Sequence, residues 1–118
     1  MNSIIENNKQ AIIELCKRHH VKFLYIFGSV TRDDFNNDSD IDFLYEFDTS
    51  RIDFDNLNNA EYDYVDNLFS FKEKLENLLQ RKIDLIPIKA VKNKYFINAI
   101  ENDKQIVYAA EQVKEVSY

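Results

Sequence analysis

Between Ile4 and Arg18 the apolar positions Ile5, Ile12 and Cys16, with Ile4, Ala11 and Leu15 beside them, recur at helical spacing and leave Glu6, Lys9, Gln10, Glu14 and Lys17 on the other side. That is the pattern of one amphipathic helix. The next run, Val21 to Phe27, is β-branched and aromatic, too short for a typical helix and closed by glycine, and so predicts a buried strand. Gly28-Ser29 turns the chain and Val30-Thr31-Arg32 begins a short helix. Asp33 to Ser39 is dense in Asp, Asn and Ser, whose side chains bond their own backbone, and reads as a loop. A second strand follows over Asp40 to Phe47.

From Asp48 to about Tyr62 the sequence is polar and aperiodic and is expected to be the most mobile interior segment. Val65, Leu68, Phe69, Phe71, Leu75, Leu78 and Leu79 then predict a second amphipathic helix, capped by Asp63 or Asp66 and closing near Gln80-Arg81. Lys82 to Pro87 gives a third strand, limited at its end by proline. Tyr95, Phe96, Ala99 and Ile100 mark a last helix, Gln105 to Tyr108 a final edge strand, and Glu111 to Tyr118 a flexible tail. The order helix, strand, strand, helix, strand, helix implies an α/β fold: a small mixed sheet packed with helices, in one domain over residues 1–110.

Composition adjusts this picture in a few places. At 118 residues a single domain is expected, able to bury a core but too small to carry a separate substrate-recognition domain. The net charge of −6 argues against a nucleic-acid binder, which needs clustered Lys and Arg to displace counterions from phosphate. It suits a basic protein partner, or a small substrate brought in with a cation. One cysteine, Cys16, excludes an intramolecular disulfide and reads as a buried small hydrophobe. Met1 to Asn8 has no basic region and no long apolar stretch, and no segment approaches the ~20 apolar residues of a membrane span. A cytoplasmic protein without membrane contact is the expectation.

The chemistry gathers around the only glycine, Gly28. A residue without Cβ is needed where backbone turns sharply or approaches a ligand. With Ser29, a turn leading into a helix offers free backbone N–H groups and a hydroxyl to phosphate oxygens. Ten intervening residues separate Ser29 from Asp40-Ile41-Asp42, whose alternating strand positions put two carboxylates on one face, roughly 6–7 Å apart at Cα. Hard oxygen ligands so placed suit Mg²⁺, which takes one or two carboxylates plus substrate phosphates. Asp84, on a separate strand, is the candidate third ligand. Taken singly, D-x-D is most often a solvated strand face, Gly-Ser a plain turn, and Ser39 a stabiliser of its own loop; the conjunction is what points to phosphate chemistry. His19-His20 reads as a helix cap or surface pair, not a metal site. Tyr25 and Tyr45 read as core or sheet-face residues. Tyr62, Tyr64 and Phe54 are candidates for a partner-facing or base-stacking surface.

The segment from Phe27-Gly28-Ser29-Val30-Thr31-Arg32 to Ser39-Asp40-Ile41-Asp42-Phe43-Leu44 resembles the signature of the polymerase β-like nucleotidyltransferases. The chain's brevity resembles their minimal branch, the MNT antitoxins of HEPN/MNT toxin–antitoxin pairs. Glu46-Phe47, the Phe71 to Leu79 helix, Arg81 to Ile86, and Asn98 to Tyr108 extend the similarity over most of the chain. The resemblance implies a polymerase β-like core in which Gly28 and Ser29 hold the β- and γ-phosphates of ATP. Asp40, Asp42 and Asp84 would bind Mg²⁺, with Asp84 helping to activate the incoming hydroxyl. Arg32 matches the motif's arginine, in contact with phosphate or bracing the loop, and Ser39 joins the nucleotide site. One departure is Asp33, where members often carry glycine. The implied activity is transfer of AMP from ATP to a tyrosine hydroxyl of a partner HEPN ribonuclease toxin in a hetero-oligomer, which silences it. Two alternatives stay open: a non-catalytic antitoxin acting by occlusion, and a nucleotidyltransferase acting on a small molecule.

Overall fold

The strand expected from Val21 to Phe27 sits at the heart of the molecule. In the computed structural model, which describes residues 1–51 and 60–110, β1 (Val21–Phe27) is flanked on both sides. It pairs antiparallel with β2 (Ile41–Phe47) and antiparallel with β4 (Gln105–Ala109). β3 (Ile83–Pro87) pairs parallel with β2, completing a four-stranded mixed sheet of order β3-β2-β1-β4. A parallel neighbour requires a crossover rather than a hairpin, and α3 (Ala60–Leu79) lies within that connection.

Alternation along the strands separates two faces. Leu24 and Ile26 of β1, Ile41, Phe43, Tyr45 and Phe47 of β2, and Ile83 of β3 join one core with Phe71, Leu75 and Leu79 of α3 and the N-terminal helices. Phe27 and Leu44 point to the opposite face, where Ile100 of α4 (Lys94–Asp103) covers them. Asp42 and Asp84 alternate onto this second face. The sheet thus has one closed face and one thinly covered face, and the acidic residues lie on the latter.

Three expectations need correction. The first helix is two: α1 (Ser3–Asn7) and α2 (Lys9–Arg18). At the junction Asn8 Nδ2 donates to the Ile4 carbonyl at 2.8 Å, the local competition by which asparagine interrupts a helix. Next, α3 begins at Ala60, so Asp63 and Asp66 lie within it instead of capping it. Acidic residues are favoured throughout a helix's first turns by its dipole and do not by themselves mark the cap. The stripe assigned to α3 was also too wide, since Val65 and Phe69 are exposed, Phe69 at 65%.

His19 is the C-cap of α2, one of the two readings expected of it, but it is not on the surface. It is only 5% exposed, bonding the Leu15 carbonyl at 2.8 Å and Ser70 Oγ at 3.2 Å. A carbonyl only accepts, so Nδ1 carries the proton and Nε2 accepts from Ser70. Burial lowers its pKa. Cys16 is buried, its thiol pushed up to about 12 by desolvation. Tyr45 is in the core and Tyr25 half-buried, while Tyr64 packs inward, its hydroxyl 3.2 Å from that of Tyr45. Most of the 48–62 segment, Phe54 included, and the Glu111 to Tyr118 tail lie outside the described residues. No helix among the described residues is long and apolar enough to cross a membrane.

Candidate active site

β1 ends at Phe27, directly opposite Asp42 in the antiparallel register. At the next residue the chain turns with Gly28 at φ +75°, a left-handed conformation that side chains with a Cβ disfavour. A Cβ there would stand 2.6 Å from Asp42 Oδ2. Gly28 is therefore demanded twice, by backbone conformation and by the carboxylate lying against it. A short 3₁₀ turn over Gly28–Thr31 follows, anchored by buried Val30 and closed by Thr31 Oγ1 donating to the Gly28 carbonyl at 2.7 Å. Ser29 rides on this turn, half-exposed. With no full helix behind it, anion binding here falls to the turn's own N–H groups and the Ser29 hydroxyl rather than to a macrodipole.

On the other side of Gly28, parallel pairing sets Asp42 beside Asp84. Their carboxyl groups share a hydrogen bond, and Asp42 is raised from 3.8 to about 6. Burial is the main cause, followed by the charge of Asp84, the bond to it, and the charge of Asp40, with Arg32 opposing. Two carboxylates side by side cannot both ionise without cost, which adds to burial in holding the Asp42 carboxyl above the usual carboxylate range. Asp84 is exposed, whereas Asp42 and Asp40 are half-buried. Asp40 lies one residue before β2 and two from Asp42, within reach of its field.

The structure thus sets Asp42 against Gly28 and beside Asp84, with Asp40 close enough for its charge to act on Asp42. Among the described residues no three His, Cys, Asp or Glu side chains already form a metal-holding group. The donor set nonetheless fits a divalent cation: a half-buried carboxylate raised by burial and by a second carboxylate beside it is a group whose charged form a hard cation would stabilise. Asp42 and Asp84 would hold it, with Asp40 turning in from the strand entry.

Arg32 and Ser39 are engaged by protein. Arg32 Nη1 meets Asp103 Oδ2 at 2.7 Å and its Nε meets Asp34 Oδ1 at 3.2 Å. These pairs tie it to Asp34 and to the end of α4. Ser39 Oγ accepts from the Asn36 N–H at 3.0 Å. Sequence reasoning missed Arg81, whose Nη1 donates to the carbonyls of Asn36 and Ser39, both at 2.8 Å, while its guanidinium lies 4.5 Å over the Phe35 ring. It ties the 33–39 loop to the start of β3. It also missed Asp103, the partner of Arg32. Neither leaves a local signal, since each acts across 40 residues or more.

Residues 9–107 match the nucleotidyltransferase domain family. The chain belongs to that family. As a nucleotidyltransferase it is similar to two Methanocaldococcus jannaschii proteins named as candidate protein adenylyltransferases. MJ0128 is 32% identical, over 87% of this chain and 90% of that one; MJ1379 is 35% identical, over 73% and 76%. Among solved structures it shares its fold with a candidate minimal nucleotidyltransferase, at TM-score 0.65 and 23% identity, over 89% of this chain and 95% of that one. A toxin–antitoxin structure with AMP-PNP gives TM-score 0.60 at 19% identity, over 92% and 79%. A Shewanella oneidensis complex of tri-AMPylated HEPN toxin with MNT antitoxin gives 0.55 at 18%, over 94% and 77%. The α/β core with its small mixed sheet is thus that of a minimal nucleotidyltransferase, and the chain is a nucleotidyltransferase enzyme.

Proposed function

We propose that this nucleotidyltransferase is a cytoplasmic Mg²⁺-dependent antitoxin that transfers AMP from ATP to a tyrosine hydroxyl of a HEPN-type toxin bound to it. The carrying observation is the contact of Gly28 with Asp42, itself in register with Asp84. It joins a turn suited to phosphate to a carboxylate pair suited to a cation. The names of the similar proteins support a protein acceptor and an antitoxin role.

In this reading Gly28 and Ser29 receive the β- and γ-phosphates, fixing the triphosphate so that its α-phosphorus faces the carboxylates. Mg²⁺, when bound, neutralises phosphate charge and stabilises the departing pyrophosphate. Asp40, Asp42 and Asp84 would hold the cation, and Asp84, the exposed member, stands where an acceptor approaches. Its carboxylate takes the phenolic proton as the oxygen bonds to the α-phosphorus and the bond to the pyrophosphate oxygen breaks. Positioning and charge neutralisation carry the reaction, with no covalent intermediate required of the protein.

Co-incubation of the chain with the partner, Mg²⁺ and ATP should add AMP units to the partner's intact mass. Asp40→Ala with Asp42→Ala should slow this at least about 100-fold while leaving complex formation in place. Full neutralisation of the toxin by that double variant would support inhibition by occlusion instead.

A further inference from the structure

Tyr25, Tyr45, Tyr64 and Tyr108 are buried or half-buried. Tyr95 is 87% exposed, and among the described residues its hydroxyl has no partner. Its backbone is nonetheless fixed. In the first turn of α4, Asn93 Oδ1 accepts from the Tyr95 and Phe96 N–H groups at 2.9 and 3.2 Å. A tyrosine held in this way presents its hydroxyl on a stiff side chain, at small ordering cost to whatever engages it.

The placement of α4 decides where that hydroxyl can react. The Phe96 ring packs 5.8 Å from the ring of Phe27, and Phe27 precedes Gly28 and lies opposite Asp42. Ile100, four residues further on, covers the same face of the sheet. Tyr95 is turned about 100° from Phe96 around the helix, away from the sheet and into solvent. It stands at the rim of its own chain's acidic face but is offered to another molecule. The rim also has a charge of its own. In a chain of net charge −6, the stretch from Leu85 to Ile100 carries Lys89, Lys92 and Lys94, all exposed, and no Asp or Glu. Such a basic rim complements the acidic site of a second copy, where Asp84 is exposed on the edge strand β3 and open to approach.

We propose that Tyr95 is a self-modification site, adenylylated in trans by a second copy of this chain, an inference that rests on the protein-adenylyltransferase reading and adds a second acceptor to it. Tyr95 Oη of one copy bonds to the α-phosphorus of ATP held by the other. The bond from that phosphorus to the pyrophosphate oxygen breaks, and the phenolic proton passes to the Asp84 carboxylate of the copy acting as enzyme. The products are a tyrosine–AMP phosphodiester and pyrophosphate.

The purified chain, incubated with ATP and Mg²⁺ and no other protein, should gain the mass of one AMP, at a rate per molecule that rises in proportion to protein concentration. Peptide mapping should place the AMP on Tyr95. Tyr95→Phe removes only a hydroxyl from an exposed ring, so it should fold, lose this labelling and still adenylylate the HEPN-type partner. Mixing tests the geometry: with Tyr95→Phe as enzyme and Asp40→Ala with Asp42→Ala as acceptor, intact mass should show AMP on the acceptor chain alone. AMP on another residue, labelling that persists in Tyr95→Phe, or an unlabelled acceptor in the mixture would each overturn the proposal. So would a chain left unmodified under conditions in which the partner gains AMP. Gain of AMP by neither protein would instead remove the adenylyltransferase reading, and this inference with it.

Discussion

A Cβ at position 28 would meet two penalties at once. The left-handed backbone costs an alanine about 1–2 kcal/mol, and the new atom would press 2.6 Å from Asp42 Oδ2. Gly28→Ala should therefore lower the Tm by about 5–10 °C. The two penalties separate in a double-mutant cycle. Removing the Asp42 carboxylate with Asp42→Ala deletes the atoms at 2.6 and 3.6 Å and leaves only Cβ, at 3.8 Å. The cost of Gly28→Ala should then fall to its backbone part, and thermal melts of the four proteins would read the difference as a coupling energy. Additive losses would mean that backbone conformation alone requires glycine. The sequence made Gly28 conspicuous because nothing else in the chain can turn so freely. What it touches was hidden, since that depends on which β2 residue pairs with Phe27, a register set by two whole strands.

At the scale of elements, legibility followed locality. β1, β2, β3 and β4 were each visible as short apolar runs closed by Gly, Pro or polar clusters, and they form near the expected bounds. α3 was visible in existence but not in its covered arc, because periodicity marks apolar positions without saying which ones meet another element. Phe71 and Phe69 make the distinction measurable. Phe71 is fully buried between the sheet and α2 and packs against His19 and Phe47, whereas Phe69 is mostly exposed. Phe71→Ala should cost about 3–5 kcal/mol in urea unfolding, enough to unfold much of a marginal domain, and Phe69→Ala within about 0.5 kcal/mol. The 33–39 loop was legible as a loop, but not the residue that fastens it. Arg81→Ala removes the donor to two loop carbonyls and the guanidinium over Phe35. Amide hydrogen exchange in residues 33–39 should quicken, at a global cost of about 1–2 kcal/mol.

The stability of the whole molecule carries the signature of two titrating groups that oppose one another. His19 is buried neutral, its pKa lowered by desolvation and, beyond the raising bond to Leu15, by Lys74, Arg18 and His20. A lowered folded value means stability is complete above the ordinary histidine value of 6.5 and is lost as pH falls through the folded one. Asp42 behaves oppositely. Raised from 3.8 to about 6, it favours the fold when protonated, and that contribution is lost as pH rises between those values. In the wild-type protein the two trends act in opposite directions below about pH 6.5. Asp42→Asn should expose the histidine limb, with Tm climbing as pH rises to 6.5, while His19→Gln should expose the aspartate limb, with Tm falling over the same interval. Mg²⁺ would act only on the second limb. By compensating the Asp42 and Asp84 charges it should raise the Tm about 5 °C at a tenfold excess over its dissociation constant at pH 7.5. It should do much less at pH 5, where a proton on Asp42 competes for the same oxygens, and nothing in Asp42→Asn with Asp84→Asn. A Mg²⁺ effect of equal size in that double variant, read by differential scanning calorimetry, would place the cation elsewhere on this acidic surface.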